Sequence, residues 1–230
     1  VLPQVMFPQA VVKVVKMDLT ATVKNIGYVK GSGDEVAQNL GGVGFNVVSF
    51  DAKDLAVMDL SIFETIMVGI RAYNHEPSMK NGNNILIEYV KNGGNVIVQY
   101  NTSRGIDKGA IGPYPFQLSR NRVTKEEAKP TFLAPKHPLL NTPNKLTEED
   151  FDNWVQERGL YFSNTWDANY EPLLSMHDKG ETPKKGSLLV TNYGKGKFIF
   201  TELSFFRELP AGVPGAYRLF ANLILPLIHL

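Results

Sequence analysis

Residues 91–102 read Lys-Asn-Gly-Gly-Asn-Val-Ile-Val-Gln-Tyr-Asn-Thr, and the order of residue types within them indicates a strand of an α/β sheet. The two glycines end a preceding helix, because glycine adopts the left-handed conformation without a steric penalty. Val96, Ile97 and Val98 form an uninterrupted β-branched run, as expected of a strand that is covered on both faces. Ligands in open α/β sheets bind beyond the carboxyl ends of such strands. Residues 99–101 are therefore the first candidates for function.

Strand-like and helix-like segments alternate before this strand. Strands are predicted over residues 23–29, 45–50 and 65–70, and helices over residues 34–40, with Asp34 as the N-cap, and 85–90. After a long gap, residues 187–191 and 197–201 flank a glycine-containing turn that is typical of a hairpin, and residues 216–228 predict a closing helix. This alternation predicts an α/β fold with a mostly parallel sheet flanked by helices.

The segment between these two regular parts, residues 103–187, is an irregular β-rich insertion. It is rich in Pro, Asn, Thr and aromatic residues, and short strands are predicted near residues 131–133, 160–163 and 172–176. A segment of this length without clear helices is uncommon and is usually functional. Residues 1–22 are predicted to be a linker or an edge strand that arrives from an upstream domain, and residues 23–230 to form one α/β domain.

The composition excludes several classes of function. Lys and Arg number 24 against 23 Asp and Glu, and no long basic run occurs, so we expect neither a nucleic acid nor an anionic membrane as partner. No apolar run reaches the length of a membrane span. The chain has no cysteine, which excludes disulfides, thiolate zinc sites and cysteine catalysis.

Known short motifs are also missing. Gly31 and Gly33 follow a predicted strand, but position 36 is Val, so the dinucleotide fingerprint is incomplete and a tight turn is the better interpretation. The four histidines do not pair at the spacing of metal ligands, and no Gly-x-Ser-x-Gly elbow is present. We therefore predict no metal, no cofactor and no catalytic nucleophile.

Polar residues that follow the predicted strands are the remaining candidates for a binding site. They are Arg71, Tyr73 and Asn74 after the third strand, Tyr100 and Asn101 after the fourth, and Glu202 and Arg207 after the late strand. Arginine, tyrosine and asparagine offer flat faces and forked donors that suit a polyol or an acidic group. A structural alternative is that Arg71 forms an ion pair with Glu202 or Glu208.

A cluster of aromatic and charged residues in the insertion has two interpretations. It comprises Trp154, Glu157, Arg158, Tyr161 and Trp166. These residues either line a platform for a sugar or a domain interface, or they are buried in a second core built by loops.

Several longer segments resemble the C-terminal region of bacterial PIG-L family deacetylases of the kind found in Bacteroidetes. The segments are residues 26–28 (Ile-Gly-Tyr), 31–36 (Gly-Ser-Gly-Asp-Glu-Val), 68–74 (Val-Gly-Ile-Arg-Ala-Tyr-Asn), 112–116 (Gly-Pro-Tyr-Pro-Phe), 137–141 (His-Pro-Leu-Leu-Asn), 154–162 (Trp-Val-Gln-Glu-Arg-Gly-Leu-Tyr-Phe) and 203–215 (Leu-Ser-Phe-Phe-Arg-Glu-Leu-Pro-Ala-Gly-Val-Pro-Gly). The resemblance covers nearly all of residues 23–225. It implies a class I glutamine amidotransferase-like, flavodoxin-like three-layer fold.

The resemblance also bears on activity. Active amidotransferases carry a cysteine at the elbow after the central strand, where this chain has residues 99–101 and no cysteine. It lacks a His-x-Glu pair near Glu202 as well, so glutaminase activity is not implied. The resemblance implies an upstream deacetylase domain as partner, within a larger exported protein that is periplasmic or secreted.

We therefore expect a non-catalytic accessory domain of a carbohydrate-active protein, which binds a glycan or docks on the deacetylase domain. Two alternatives remain. One is a hydrolase that uses carboxylates such as Glu202 or Glu208 as general acid and base. The other is a purely structural domain.

Overall fold

A seven-stranded sheet forms the centre of the computed structural model, which describes residues 14–21 and 25–225. The strands in chain order are β1 (Asn25–Val29), β2 (Asn46–Phe50), β3 (Thr65–Val68), β4 (Asn95–Val98), β5 (Phe116–Val123), β6 (Thr131–Phe132), β7 (Gly159–Trp166), β8 (Glu171–Pro172), β9 (Leu174–Ser175), β10 (Leu188–Tyr193) and β11 (Gly196–Thr201). The α-helices are α1 (Val36–Gly42), α2 (Ala72–His75), α3 (Met79–Lys91), α4 (Phe205–Glu208) and α5 (Pro214–Ile224). Short 3-10 helices span Ala52–Ala56, Leu60–Ile62, Pro138–Leu140 and Glu148–Phe151.

The order of strands in the main sheet is β2-β1-β3-β4-β11-β10-β8. The first five of these strands run parallel, whereas β10 pairs antiparallel with β11 and β8 pairs antiparallel with β10. The prediction of a mostly parallel α/β sheet is therefore confirmed. The predicted hairpin is also confirmed, as β10 and β11 with a left-handed glycine at Gly194 in the turn.

Helices cover both faces of the sheet and create two cores. Ile97 of β4 points into the core that contains α5, whereas Val96 and Val98 point into the core that contains α3. All three side chains are fully buried, and each contributes about 1.5–3 kcal/mol of hydrophobic free energy. A β-branched run without polar interruption is therefore what a central strand between two helical layers requires.

The glycines before β4 have separate roles. Gly93 has a φ of 120° and ends α3. A Cβ atom at Gly94 would lie 2.1 Å from the ring of Tyr89, so this position admits no side chain. The predicted helix over residues 85–90 is the second half of α3, which starts earlier, at Met79.

The insertion folds into two small antiparallel sheets, one of β5 with β7 and the other of β6 with β9. The strands predicted near residues 131–133, 160–163 and 172–176 correspond to β6, β7 and the β8–β9 region. The eight-residue strand β5 was not predicted. Its pairing with β7 shifts register at several points, so its apolar residues do not keep a strict alternation.

Some predictions concern chain ends or boundaries. Most of the predicted linker or edge strand, residues 1–13 and 22, and the end of the predicted closing helix, residues 226–228, lie outside the described residues. Residues 14–21 contain no regular secondary structure. The predicted N-cap at Asp34 is wrong, because α1 begins one residue later, after Glu35, and the Asp34 carboxylate instead accepts from the Tyr28 hydroxyl and the N–H of Ile70. Within the described part of the chain, no helix is both long and apolar enough to cross a membrane.

Candidate functional site

The strand order reverses between β1 and β3, and ligands of open α/β folds bind where the loops leaving such a pair diverge. In this protein the two loops contact each other directly. The backbone N–H of Ser32 donates to the carbonyl of Ile70 at 2.9 Å. A Cβ atom at Gly31 would lie 2.1 Å from that carbonyl oxygen, so glycine is required for close packing there. The interpretation of this turn as a structural one is supported.

Asp34 connects the loops that leave β1 and β3 and forms the floor of the space between them. Its Oδ1 accepts hydrogen bonds from the Tyr28 hydroxyl and the backbone N–H of Val36, and its Oδ2 accepts from the backbone N–H of Ile70 at 3.2 Å. The Gln99 amide donates to the same Tyr28 hydroxyl at 3.2 Å. Burial, with the charge of Asp34, raises the pKa of Tyr28 well above its ordinary value, so this phenol stays protonated. The network joins β1, β3 and β4 at their carboxyl ends.

A cleft of about 390 Å³ lies over this floor and is the candidate functional site. It is bounded by residues 33–35 after β1, by Ile70 after β3, by residues 155–156 of the insertion, and by Phe206, Arg207 and Pro210. The insertion therefore forms one wall of the site. The expectation that this long irregular segment has a functional role stays a prediction.

Aromatic rings extend the cleft towards the end of β4. The ring of Tyr100 stacks on Phe206, with centroids 5.3 Å apart, and lies 5.9 Å from the ring of Tyr161. The guanidinium of Arg207 lies 4.9 Å from the centroid of Phe206 and donates to Glu157 at 2.8 Å. We call Tyr100, Tyr161 and Phe206 the aromatic shelf.

Arg71 stands beside the aromatic shelf in an unusual backbone conformation. It is the N-cap of α2 with a φ of 56°, and its N–H donates to the Tyr100 carbonyl at 2.7 Å. Within the described part of the chain its guanidinium forms no ion pair and no hydrogen bond, and its Nε is buried. The alternative ion pair with Glu202 or Glu208 is therefore not observed.

Burial and neighbouring charged groups act on the pKa of Tyr100. Burial raises the pKa of Tyr100, the carboxyl group of Glu202 adds to this rise, and the guanidinium of Arg71 opposes it. These three predicted residues are thus neighbours at one edge of the sheet. The sharp turn from a strand into a helix lies after β3, at Arg71, whereas β4 continues into residues 99–115 without a helix.

Glu202 and Glu208 are both fully buried. Both carboxyl oxygens of Glu202 accept from the backbone N–H of Asn101, at 3.2 and 3.3 Å. Burial raises the pKa of Glu202 well above its ordinary value, and burial also raises the pKa of Glu208 to about 7. Burial therefore favours the neutral acid at both positions, with no cation paired to Glu202 among the described residues.

The other predicted residues hold the loops together. The Asn101 side chain accepts from the N–H of Tyr73 at 3.2 Å. The Asn74 side chain donates to the carbonyls of Thr102 and Arg104 and accepts from the N–H of Thr102. These contacts tie the exit of β3 to that of β4. Because all of them are internal to the protein, Asn74 and Asn101 position the site and have little left to offer a ligand.

Tyr73 lies in a second cleft, away from the aromatic shelf. Its hydroxyl donates to Asn83 of α3 at 2.9 Å, and both residues line a cleft of about 570 Å³ between α3 and the loop after β4. Burial raises the pKa of Tyr73 above its ordinary value. The predicted set of site residues therefore divides, with Arg71, Tyr100, Glu202 and Arg207 near the first cleft and Tyr73 in the second.

The aromatic cluster predicted in the insertion also divides. Trp154 is buried and stacks on Phe151 with centroids 5.2 Å apart, and buried Arg158 contacts both rings. Trp166 packs against the core on the α3 side of the sheet. Glu157 and Tyr161 reach the candidate site. The interpretation as a second core is confirmed for Trp154 and Arg158, whereas a sugar platform at Glu157 and Tyr161 stays a prediction.

Left-handed backbone conformations concentrate around the cleft. Four non-glycine residues in the described ranges have positive φ, of which Gln156 (66°) lines the cleft, Tyr161 (61°) belongs to the aromatic shelf and Arg71 (56°) lies beside that shelf. Asn153 is the fourth, and asparagine tolerates this conformation better than most residues. Strained backbone in folded proteins clusters at functional sites. Sequence reasoning missed Gln156 and Phe206, since nothing local in the sequence marks either.

Comparisons with known proteins inform the fold. No protein-family model matches the sequence, and no curated protein matches it. Among solved structures, a chain of PurLQS from Thermotoga maritima aligns with a TM-score of 0.59 and 11% identity, over 88% of this chain and 98% of that one. A GMP synthase component from Thermoplasma acidophilum aligns with a TM-score of 0.57 and 10% identity, over 89% of this chain and 94% of that one.

A larger protein is also similar in part. An exo-β-1,4-mannosidase from an Opitutaceae bacterium aligns with a TM-score of 0.52 and 11% identity, over 88% of this chain but only 36% of the mannosidase. Identities this low show a shared fold and carry no information about ligands. The resemblance to PIG-L deacetylases stays a prediction. The strand order and these alignments together show that the chain has a glutamine amidotransferase-like α/β fold.

Proposed function

We propose that this chain is a non-catalytic, amidotransferase-like accessory domain that binds a glycan in the cleft beside the aromatic shelf. The cleft offers the two features that sugar recognition uses. Aromatic rings supply apolar faces for the C–H surface of a sugar ring, and arginine supplies forked donors for its oxygens. Tyr100, Phe206 and Arg71 provide both features within one site.

The observation that carries the proposal is the left-handed backbone of Gln156 in the cleft, of Tyr161 in the aromatic shelf and of Arg71 beside it. Each such residue costs about 1–3 kcal/mol. A fold without a ligand gains nothing from this arrangement, whereas a binding site gains fixed positions for its side chains. The third alternative, a purely structural domain, leaves the clustering unexplained.

The carboxylate hydrolase is not favoured by the geometry. A general acid or base must come within about 2.6–3.2 Å of the substrate, directly or through one water. Glu202 and Glu208 are both closed off from solvent, and neither lines the cleft. The cysteine route is excluded by composition. A binding role therefore accounts for the site better than a catalytic one.

The resemblance to PIG-L deacetylases supports a place within a larger carbohydrate-active protein. The likeness to the mannosidase shows that a similar fold can occupy about a third of a longer chain. The resemblance to PIG-L deacetylases supports a deacetylase as the neighbouring domain. If the cleft binds no sugar, docking against that domain is the alternative role for the same surface.

A glycan array with neutral, N-acetylated and acidic sugars tests the proposal, followed by calorimetric titration of the hits. We expect the Arg71→Ala, Tyr100→Ala double variant to lose at least about 10-fold in affinity, because it removes both the guanidinium group and the aromatic ring that would contact the sugar. Arg122→Ala, an exposed position on β5, is the matched control and should bind as the wild type does. Unchanged binding by the double variant would remove this cleft from consideration.

A further inference from the structure

We infer that the ligand of this cleft is an acidic glycan, a sugar whose carboxylate is bound by the guanidinium of Arg71. The inference rests on the proposed function and adds the charge of the ligand. The cations at the carboxyl end of the sheet differ in whether the protein supplies them with a partner.

Three other cations near this edge have a partner within the protein. Arg207 donates to Glu157 at 2.8 Å, and Lys30 donates to Asp51 at 3.1 Å. Arg158 donates to the carbonyl of Ala128 at 2.8 Å and to that of Phe151. Arg71 differs, because its half-buried guanidinium has neither an acid nor a carbonyl as partner among the described residues, whereas the unpaired guanidinium of Arg104 is exposed to solvent.

The buried acid Glu202 does not pair with Arg71. Both oxygens of Glu202 accept from the N–H of Asn101, and burial raises the pKa of this carboxyl group. Among the described residues, no ion pair joins Glu202 to Arg71. The half-buried guanidinium of Arg71 is left as the uncompensated charge beside the aromatic shelf.

The position of Arg71 is fixed before any ligand arrives. Its backbone is held by the hydrogen bond to Tyr100 and by the left-handed turn into α2. A sugar ring that lies along the aromatic shelf brings a ring carboxylate next to this guanidinium. Arginine and carboxylate match in a bidentate geometry, and such charge-assisted bonds are about twice as strong as neutral ones.

Two carboxylates line the cleft and work against an anionic ligand, those of Asp34 and Glu35. Glu35 is exposed, so water and salt screen its charge. Asp34 is half-buried and accepts hydrogen bonds from one hydroxyl and two backbone N–H groups, which compensate part of its charge. We therefore expect the carboxylate of an acidic sugar to point away from these two residues and towards Arg71.

Matched pairs of sugars test the inference. The probes are the methyl glycosides of glucuronate and glucose, galacturonate and galactose, and mannuronate and mannose, measured by saturation-transfer NMR and titration. We expect at least one acidic sugar to bind about 10-fold or more tightly than its neutral partner, from the bonds to a charged group. Raising the salt concentration should reduce this preference.

Variants at Arg71 separate the contributions. Arg71→Gln should weaken binding of the acidic sugar more than binding of the neutral sugar and so abolish the preference, and Arg71→Lys should retain part of the preference. Arg122→Gln, on the exposed side of β5, should change neither affinity.

Equal binding of acidic and neutral sugars would overturn the inference and leave the proposed function intact. A preference that survives Arg71→Gln, or that Arg122→Gln also removes, would overturn it as well. Binding of neither member of any pair would count against both the inference and the proposed function.

Discussion

Replacing Arg71 with glycine should stabilise the fold while it removes the cation of the cleft. Arg71 adopts a φ of 56°, which glycine adopts freely and arginine does not. Its Nε is also buried without a partner. A stabilising change at a proposed binding residue is the result expected when function requires strain.

The size of the effect follows from two opposing contributions. A non-glycine residue in the left-handed region costs about 1–2 kcal/mol, which the substitution relieves in the folded state. Glycine gives the unfolded chain more freedom, which costs about 0.5–1 kcal/mol. The expected net gain is about 0.5–1 kcal/mol, or about 1–4 °C in Tm for a chain of this length.

The comparison needs variants that differ in strain alone. Arg71→Gln removes the charge but keeps the left-handed cost, so we expect Arg71→Gly to exceed it by about 0.5–1 kcal/mol in urea denaturation. Asn153→Gly is the matched control, because Asn153 has a φ of 58° and asparagine tolerates it. If Arg71→Gly is less stable than Arg71→Gln, the turn at α2 is not strained and the reasoning fails.

Three further predictions concern buried groups and loops. The pKa of Glu208 is about 7 in the folded protein and about 4.5 in the unfolded chain, so the folded protein holds this proton to higher pH. The free energy of unfolding of the wild-type protein should therefore fall as pH rises from about 4.5 to about 7. The fall is up to about 3.4 kcal/mol from the two pKa values, and about 2 kcal/mol once solvent screening is allowed for. Glu208→Gln should flatten that loss in urea titrations at pH 5 and pH 8, and parallel profiles would contradict the assignment. Asn74→Ala removes three hydrogen bonds to the loop after β4 and should cost about 1–3 kcal/mol, with faster protease cleavage there; an unchanged cleavage rate would show that the loop is held otherwise. Gly112→Ala places a Cβ atom 2.6 Å from the hydroxyl of Tyr170 and should lower the free energy of unfolding by about 2 kcal/mol or more. Gly105 has a similar φ but lies in open space, so Gly105→Ala should lower it by only about 1 kcal/mol. Equal losses of stability in the two variants would refute the steric account.

The parallel half of the fold could be predicted because its signals are local. The run of Val96, Ile97 and Val98 is apolar throughout, and a central strand between two helical layers tolerates little else. The insertion offered weaker signals. β5 contains Arg120 and Arg122 and pairs with β7 through shifts in register, so no period of two survives in its sequence.

The site could be predicted only in part. The topology rule brought Arg71, Tyr100 and Glu202 to one edge, since the carboxyl ends of neighbouring parallel strands must meet there. It did not separate Tyr73 from them, because that side chain turns towards α3, and direction within a loop depends on tertiary contacts. The place of Gln156 in the site could not be predicted either, because this left-handed position is occupied by neither glycine nor asparagine, the residues that mark such a conformation in a sequence.

Three unfavourable features meet at one edge of this sheet, and their coincidence is more informative than any one of them. A left-handed arginine, an uncompensated guanidinium and a buried acid without a cation among the described residues each reduce stability. A domain whose total stability is about 5–15 kcal/mol does not accumulate such features by packing alone. A bound anion offsets the second feature directly, and it uses the first, because the left-handed turn fixes where the guanidinium stands. The same edge therefore has a physical reason to bind acidic sugars, even though it carries no cysteine with which to react.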